Sequence, residues 1–131
     1  MNRRAQVFVG LLLLVALAAC ATTPIGKAVQ SAHVQKQIVE ASAVEFAKLH
    51  FQGKIPADKY AKGRDAYEKW AAGEVALAKS LADWKRIGDT ESSQRLSKAL
   101  QLSGELFRLW SEAVGGFVDL VKMKSQIEGG K

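Results

Sequence analysis

The side chains that could do chemistry are two imidazoles, one unusually placed carboxylate, three indoles and a single thiol. A metal site or a general base would draw on His33 and His50. They stand 17 residues apart on one helical segment, far beyond the i, i+4 reach that lets two side chains share an ion. His50 falls on the apolar face near the helix end, where it can bond the last carbonyls, and His33 sits at the margin of that face. Both read as structural or solvated, and no metal ligand set is expected. Glu74 projects from an apolar helical arc, within a turn of Tyr67, Trp70 and Leu77, where a lone carboxylate is costly unless paired. Lys36, His50 and Arg95 are its candidate partners. Trp70, Trp84 and Trp110, with Tyr60 and Tyr67, could stack on a sugar or a lipid, but each recurs at helical spacing on a core-facing arc. Packing is their default role. Trp70, Trp110 and Glu74 together form the candidate ligand-binding set. No Gly-rich phosphate loop, nucleophile elbow, His-Glu-x-x-His or paired-carboxylate pattern occurs. No catalytic residue and no cofactor is expected, and the chain does not read as an enzyme.

The lone thiol is different, because its surroundings are specific. Cys20 is the only cysteine, so neither an internal disulfide nor a thiolate metal site is available. It ends the run Leu17-Ala18-Ala19-Cys20, which follows a basic start, Met1-Asn2-Arg3-Arg4, and an apolar stretch from Val7 to Ala16. A transmembrane helix needs about 20 apolar residues, and the apolar stretch is shorter, with Thr22-Thr23-Pro24 close behind. The pattern of basic, apolar and small residues is that of a secretory leader. An ordinary leader, however, does not explain a cysteine at the cut.

This segment resembles the lipobox of bacterial lipoprotein precursors. The resemblance implies cleavage before Cys20, a diacyl group on its sulfur and often a further acyl chain on its new amine. Residues 1–19 are then a removed leader and 20–24 a short lipidated spacer. In such lipoproteins an Asp directly after the cysteine tends to retain the protein in the inner membrane. Here Ala21 stands there, which implies an outer membrane location facing the periplasm where the source has two membranes. The rest of the chain resembles, in length and helicity only, the small helical envelope lipoproteins of bacteria and their prophages.

The whole chain carries 19 basic and 13 acidic side chains. Without 1–19 the balance is 17 to 13, a mixed surface rather than a basic stripe. Nucleic acid is therefore an improbable partner, on charge and on the implied address. The 112 residues from Cys20 onward are one domain by length.

That domain reads as all-α: Ala, Leu, Lys, Glu and Gln abound, and no useful period-2 alternation appears. Pro24 and Pro56 sit where helices should begin. From about 25 to 51, apolar Ile25, Ala28, Val29, Ala32, Val39, Ala43, Phe46 and Ala47 share one arc. After the break at Gly53, a second helix over about 56–86 carries Tyr60, Tyr67, Trp70, Ala71, Leu77, Ala78, Leu81 and Trp84. Gly88 ends it, and Asp89 or Thr90 caps a third helix over about 90–127, which has the broadest apolar face. Residues 128–131 form a frayed tail.

Short joints make neighbouring helices antiparallel, so the expected domain at 25–127 is an up-down-up three-helix bundle. A continuous third helix would reach roughly 55 Å against about 40 Å for the first. Gly115-Gly116 is where it should kink, or break into a fourth short helix.

The expected function is that of a small, lipid-anchored, non-enzymatic interaction module. Its membrane contact is the lipid on Cys20, and its partner is another envelope protein or a second copy. The alternatives are a carrier of a small apolar ligand between the helices, or a structural lipoprotein contacting peptidoglycan or glycolipid.

Overall fold

The computed structural model describes residues 24–129. The lipobox, Cys20 and Ala21 lie outside the described residues. Every regular element among the described residues is an α-helix: α1 (Pro24–Phe51), α2 (Ala57–Ile87), α3 (Thr90–Val114) and α4 (Leu120–Gly129). The chain divides into two compact units, Met1–His33 and Val34–Lys131. The described part of the first is 24–33, the opening turns of α1, with His33 exposed. The second holds the rest of α1 and all of α2, α3 and α4.

Local chemistry explains where the helices of this second unit stop. After α1 the chain reverses through Gly53 at φ 73°, with the Gly53 N–H donating to the His50 carbonyl at 2.9 Å and the Lys54 N–H to that of Leu49 at 2.9 Å. Gly88, also at φ 73°, ends α2. A left-handed residue at this position satisfies the last carbonyls, and glycine adopts it without a Cβ clash. Asp89 then caps α3: its Oδ1 accepts from the Ser92 N–H at 2.8 Å, while the Ser92 hydroxyl donates to the Asp89 carbonyl at 2.9 Å. Thr90 is the first helical residue instead.

Only two residues separate α2 from α3, so the two helices must turn back on each other. They meet in opposed order: Tyr67 lies against Trp110, Glu74 against Ser103 and Gly73 against Leu106. Two glycines that weaken α2 by propensity are explained by this packing. A Cβ at Gly63 would collide with the Phe46 ring, and one at Gly73 with the Leu106 side chain. The missing side chains are the space that the neighbours occupy.

The core gathers Val39 and Phe46 from α1, Ala66 and Trp70 from α2, Trp110 and Val114 from α3, and Ile55 and Val118 from the connections. Outside it, the solvated faces carry short-range ion pairs such as Asp65–Lys69 at 3.1 Å and Arg108–Glu112 at 2.6 Å. Exposed pairs of this kind contribute little to stability.

The third helix is not continuous to residue 127. It stops at Val114, and residues 115–119 make an irregular turn before α4. In that turn the Phe117 and Val118 N–H groups both donate to the Val114 carbonyl, at 2.9 and 3.0 Å. Asp119 starts α4 by accepting the Lys122 N–H at 3.0 Å. The break brings Phe117, Leu120 and Met123 against the core and buries Val118. Helix α4 continues through Glu128 and Gly129, so the tail expected from 128 is still helical there.

Candidate functional site

A concavity of the second unit lies where α1, α2 and α3 meet. It has a volume of about 130 Å³ and is walled by the rings of Phe46, Tyr60, Tyr67 and Trp110. Ala43, Ala47 and Gly63 supply the room, and Arg64 is the charged side chain of its lining. Helical spacing accounts for the set. Ala43, Phe46 and Ala47 share one face of α1, while Tyr60, Gly63, Arg64 and Tyr67 share one face of α2.

The rings are fixed by one another. Phe46 stacks on Tyr60 at 5.6 Å between centroids and 16° between planes. It meets Trp110 edge-on at 5.9 Å and 74°. Trp110 also takes Tyr67 at 5.8 Å and 66°. These are the offset and T-shaped arrangements that aromatic quadrupoles favour. His50 lies flat on Tyr60, with centroids 3.6 Å apart and planes 9° apart, and its Nδ1 is buried without a hydrogen bond among the described residues.

Trp110 is held by more than packing. Its indole N–H donates to the Ser42 hydroxyl at 2.9 Å, and that hydroxyl in turn reaches the carbonyls of Ile38 at 2.6 Å and Val39 at 3.1 Å. Ser42 is fully buried, and its hydroxyl accepts the Trp110 N–H while sharing its single proton between those two carbonyls. Trp110 therefore offers the cavity only ring surface.

The three residues of the candidate ligand set do not share one site. Trp110 lines the cavity, whereas Trp70 is packed in the core against Tyr67 at 5.7 Å, with its indole N–H buried and unpaired among the described residues. Glu74 lies outside the cavity lining. Its expected partners are also corrected. Its Oε2 accepts from the Ser103 hydroxyl at 2.8 Å; Arg95 pairs with Glu91 at 3.0 Å, and Lys36 is exposed. Glu74 is half-buried, and the Ser103 hydroxyl is the donor it is given there. Trp84 is half-exposed near the end of α2.

Sequence reasoning missed Ser42, Ser103 and Arg64. Serines on apolar helical faces were the signal for the first two, since such a hydroxyl must find a partner when buried. Among the described residues no three His, Cys, Asp or Glu side chains gather as a metal site, and no helix is long and apolar enough to cross a membrane.

No protein-family model matches this chain, and no curated protein or solved structure matches it. Its function has to be read from its own residues.

Proposed function

We propose that this chain is a small, lipid-anchored protein of the bacterial cell envelope, acting as a non-enzymatic helical interaction module. The observation that carries the reading is Leu17-Ala18-Ala19-Cys20 directly after a short basic and apolar leader. One myristoyl-sized chain provides about 5–6 kcal/mol of membrane binding, so two or three on Cys20 give essentially permanent anchorage. Ala21 directs the mature protein to the outer membrane, facing the periplasm, in a two-membrane cell. In this reading α1, α2 and α3 form an up-down-up bundle, and α4 covers one end of it.

The interaction role rests on apolar side chains left in solvent. Val44 and Phe51 stand seven residues apart on one face of α1 and are 68% and 85% exposed. Single exposed apolar residues are ordinary, but two turns of one helix face presenting both is the pattern of a helix that meets another surface. The partner is another envelope protein or a second copy of this chain.

Metabolic labelling with a fatty-acid analogue tests the anchor. The wild-type chain should take up label and fractionate with membranes, and Cys20→Ala should do neither. A wild-type chain that stays unlabelled and soluble overturns the reading. For the interaction, crosslinking in intact cells should give a discrete adduct that Phe51→Glu removes. An adduct pattern unchanged by Phe51→Glu and Val44→Glu would show that this face is not used.

A further inference from the structure

We propose that the cavity beside Trp110 binds a small single-ring aromatic carboxylate, with its ring seated among Phe46, Tyr67 and Trp110 and its carboxylate at Arg64. Size comes first. The cavity holds about 130 Å³, and a closed apolar cavity of about 150 Å³ accepts one benzene ring. A single ring with a short substituent matches that volume.

The walls select for a ring over a chain. Four aromatic side chains surround the space, and their faces and edges are already set by mutual packing. A planar guest gains face and edge contacts from such walls that a flexible acyl chain lacks, and it loses less rotamer freedom on entering.

Charge selects for an anion. Arg64 is the one charged side chain lining the cavity, and it forms no ion pair among the described residues. Its acidic neighbour Asp65 is taken by Lys69. The hydroxyls of Tyr60 and Tyr67 likewise form no hydrogen bond among the described residues and are free to donate to a carboxylate oxygen. The Trp110 N–H is not, because Ser42 holds it. A guanidinium and two phenols in one lining suit a carboxylate and disfavour a cationic ring.

The test uses the full chain with its acyl anchor, in phosphatidylcholine nanodiscs, labelled with 5-fluorotryptophan. Fluorine NMR separates the three indoles, and Trp→Phe variants assign them. Benzoate and phenylacetate should shift the Trp110 resonance in a saturable way and leave that of Trp84 unmoved. Arg64→Ala should weaken benzoate by about fivefold, the scale of one exposed charge pair, without changing the weaker binding of benzyl alcohol. Ala43→Leu, which fills the cavity with an apolar side chain, should abolish both. Ala47→Leu repeats that arm if Ala43→Leu does not fold. No Trp110 shift with any ring compound overturns the proposal. Equal binding of benzoate and benzyl alcohol, unaffected by Arg64→Ala, overturns the anionic class, and tighter binding of octanoate than of benzoate overturns the choice of a ring.

Discussion

Trp110 on α3 and Ser42 on α1 are 68 residues apart in sequence and joined by a buried hydrogen bond of 2.9 Å. The pair does two jobs. It satisfies an indole N–H that is closed off from water, and it sets the rotation of α1 relative to α3 so that Phe46 meets Trp110 edge-on. Ser42→Ala should cost about 1–3 kcal/mol in urea unfolding, because it strands the Trp110 N–H in the core. In a Trp110→Phe background the same change should cost clearly less, with a coupling of about 1 kcal/mol in the double-mutant cycle. Additive losses would mean that the bond contributes nothing of its own.

Two glycines inside helices should respond in opposite directions to alanine. Propensity alone favours alanine by up to about 1 kcal/mol at either site. At Gly104 on α3 a Cβ meets nothing within 4 Å, so Gly104→Ala should raise the melting temperature. Gly63→Ala should lower it, since the new methyl would displace the Phe46 ring and disturb its stack on Tyr60. Thermal melts followed by circular dichroism decide this, and a stabilised Gly63→Ala would contradict the packing at that point.

Asp89 links helix capping to pH. The Ser92 backbone N–H, which donates to the carboxylate, holds the Asp89 carboxyl below its ordinary value of 3.8. A folded-state pKa below the unfolded one means that the carboxylate form is favoured by folding. Its contribution is complete above the unfolded value and is lost as pH falls through the folded value. Denaturant titrations from neutral pH to below 3.8 should show this loss in wild type. Asp89→Asn keeps a capping oxygen and should flatten that part of the profile. Asp89→Ala should be less stable at neutral pH as well.

Glu74 and Ser103 should behave as a neutral-tolerant pair. Glu74→Gln keeps an acceptor for the Ser103 hydroxyl, so its stability should stay within about 0.5 kcal/mol of wild type. Glu74→Ala should cost more, up to about 1 kcal/mol, because the Ser103 side chain is buried and loses its partner. If Glu74→Gln were as damaging as Glu74→Ala, a counter-charge would have to be acting on the carboxylate.

The all-helical character of this protein was legible in the sequence, because helix propensity and a 3.6-residue apolar period are local properties. So were the reversals at Gly53 and Gly88, where the chain needs a backbone conformation that glycine alone adopts cheaply. The double glycine at 115–116 marked a weak point, but not what would happen there. Whether it bends or breaks depends on how much apolar surface a turn can return to the core, and Phe117 against Phe46 at 6.1 Å is part of the answer. The same limit applies to the candidate site. Trp70, Glu74 and Trp110 all lie on apolar arcs, yet Trp110 lines a cavity, Trp70 is locked in the core and Glu74 bonds a serine outside the cavity. Helical periodicity tells which way a side chain points around its own axis. Which side chains then meet depends on the height and rotation of the neighbouring helices. Those are settled here by long-range fits such as Phe46 on Gly63 and Trp110 on Ser42, which no stretch of the sequence contains by itself.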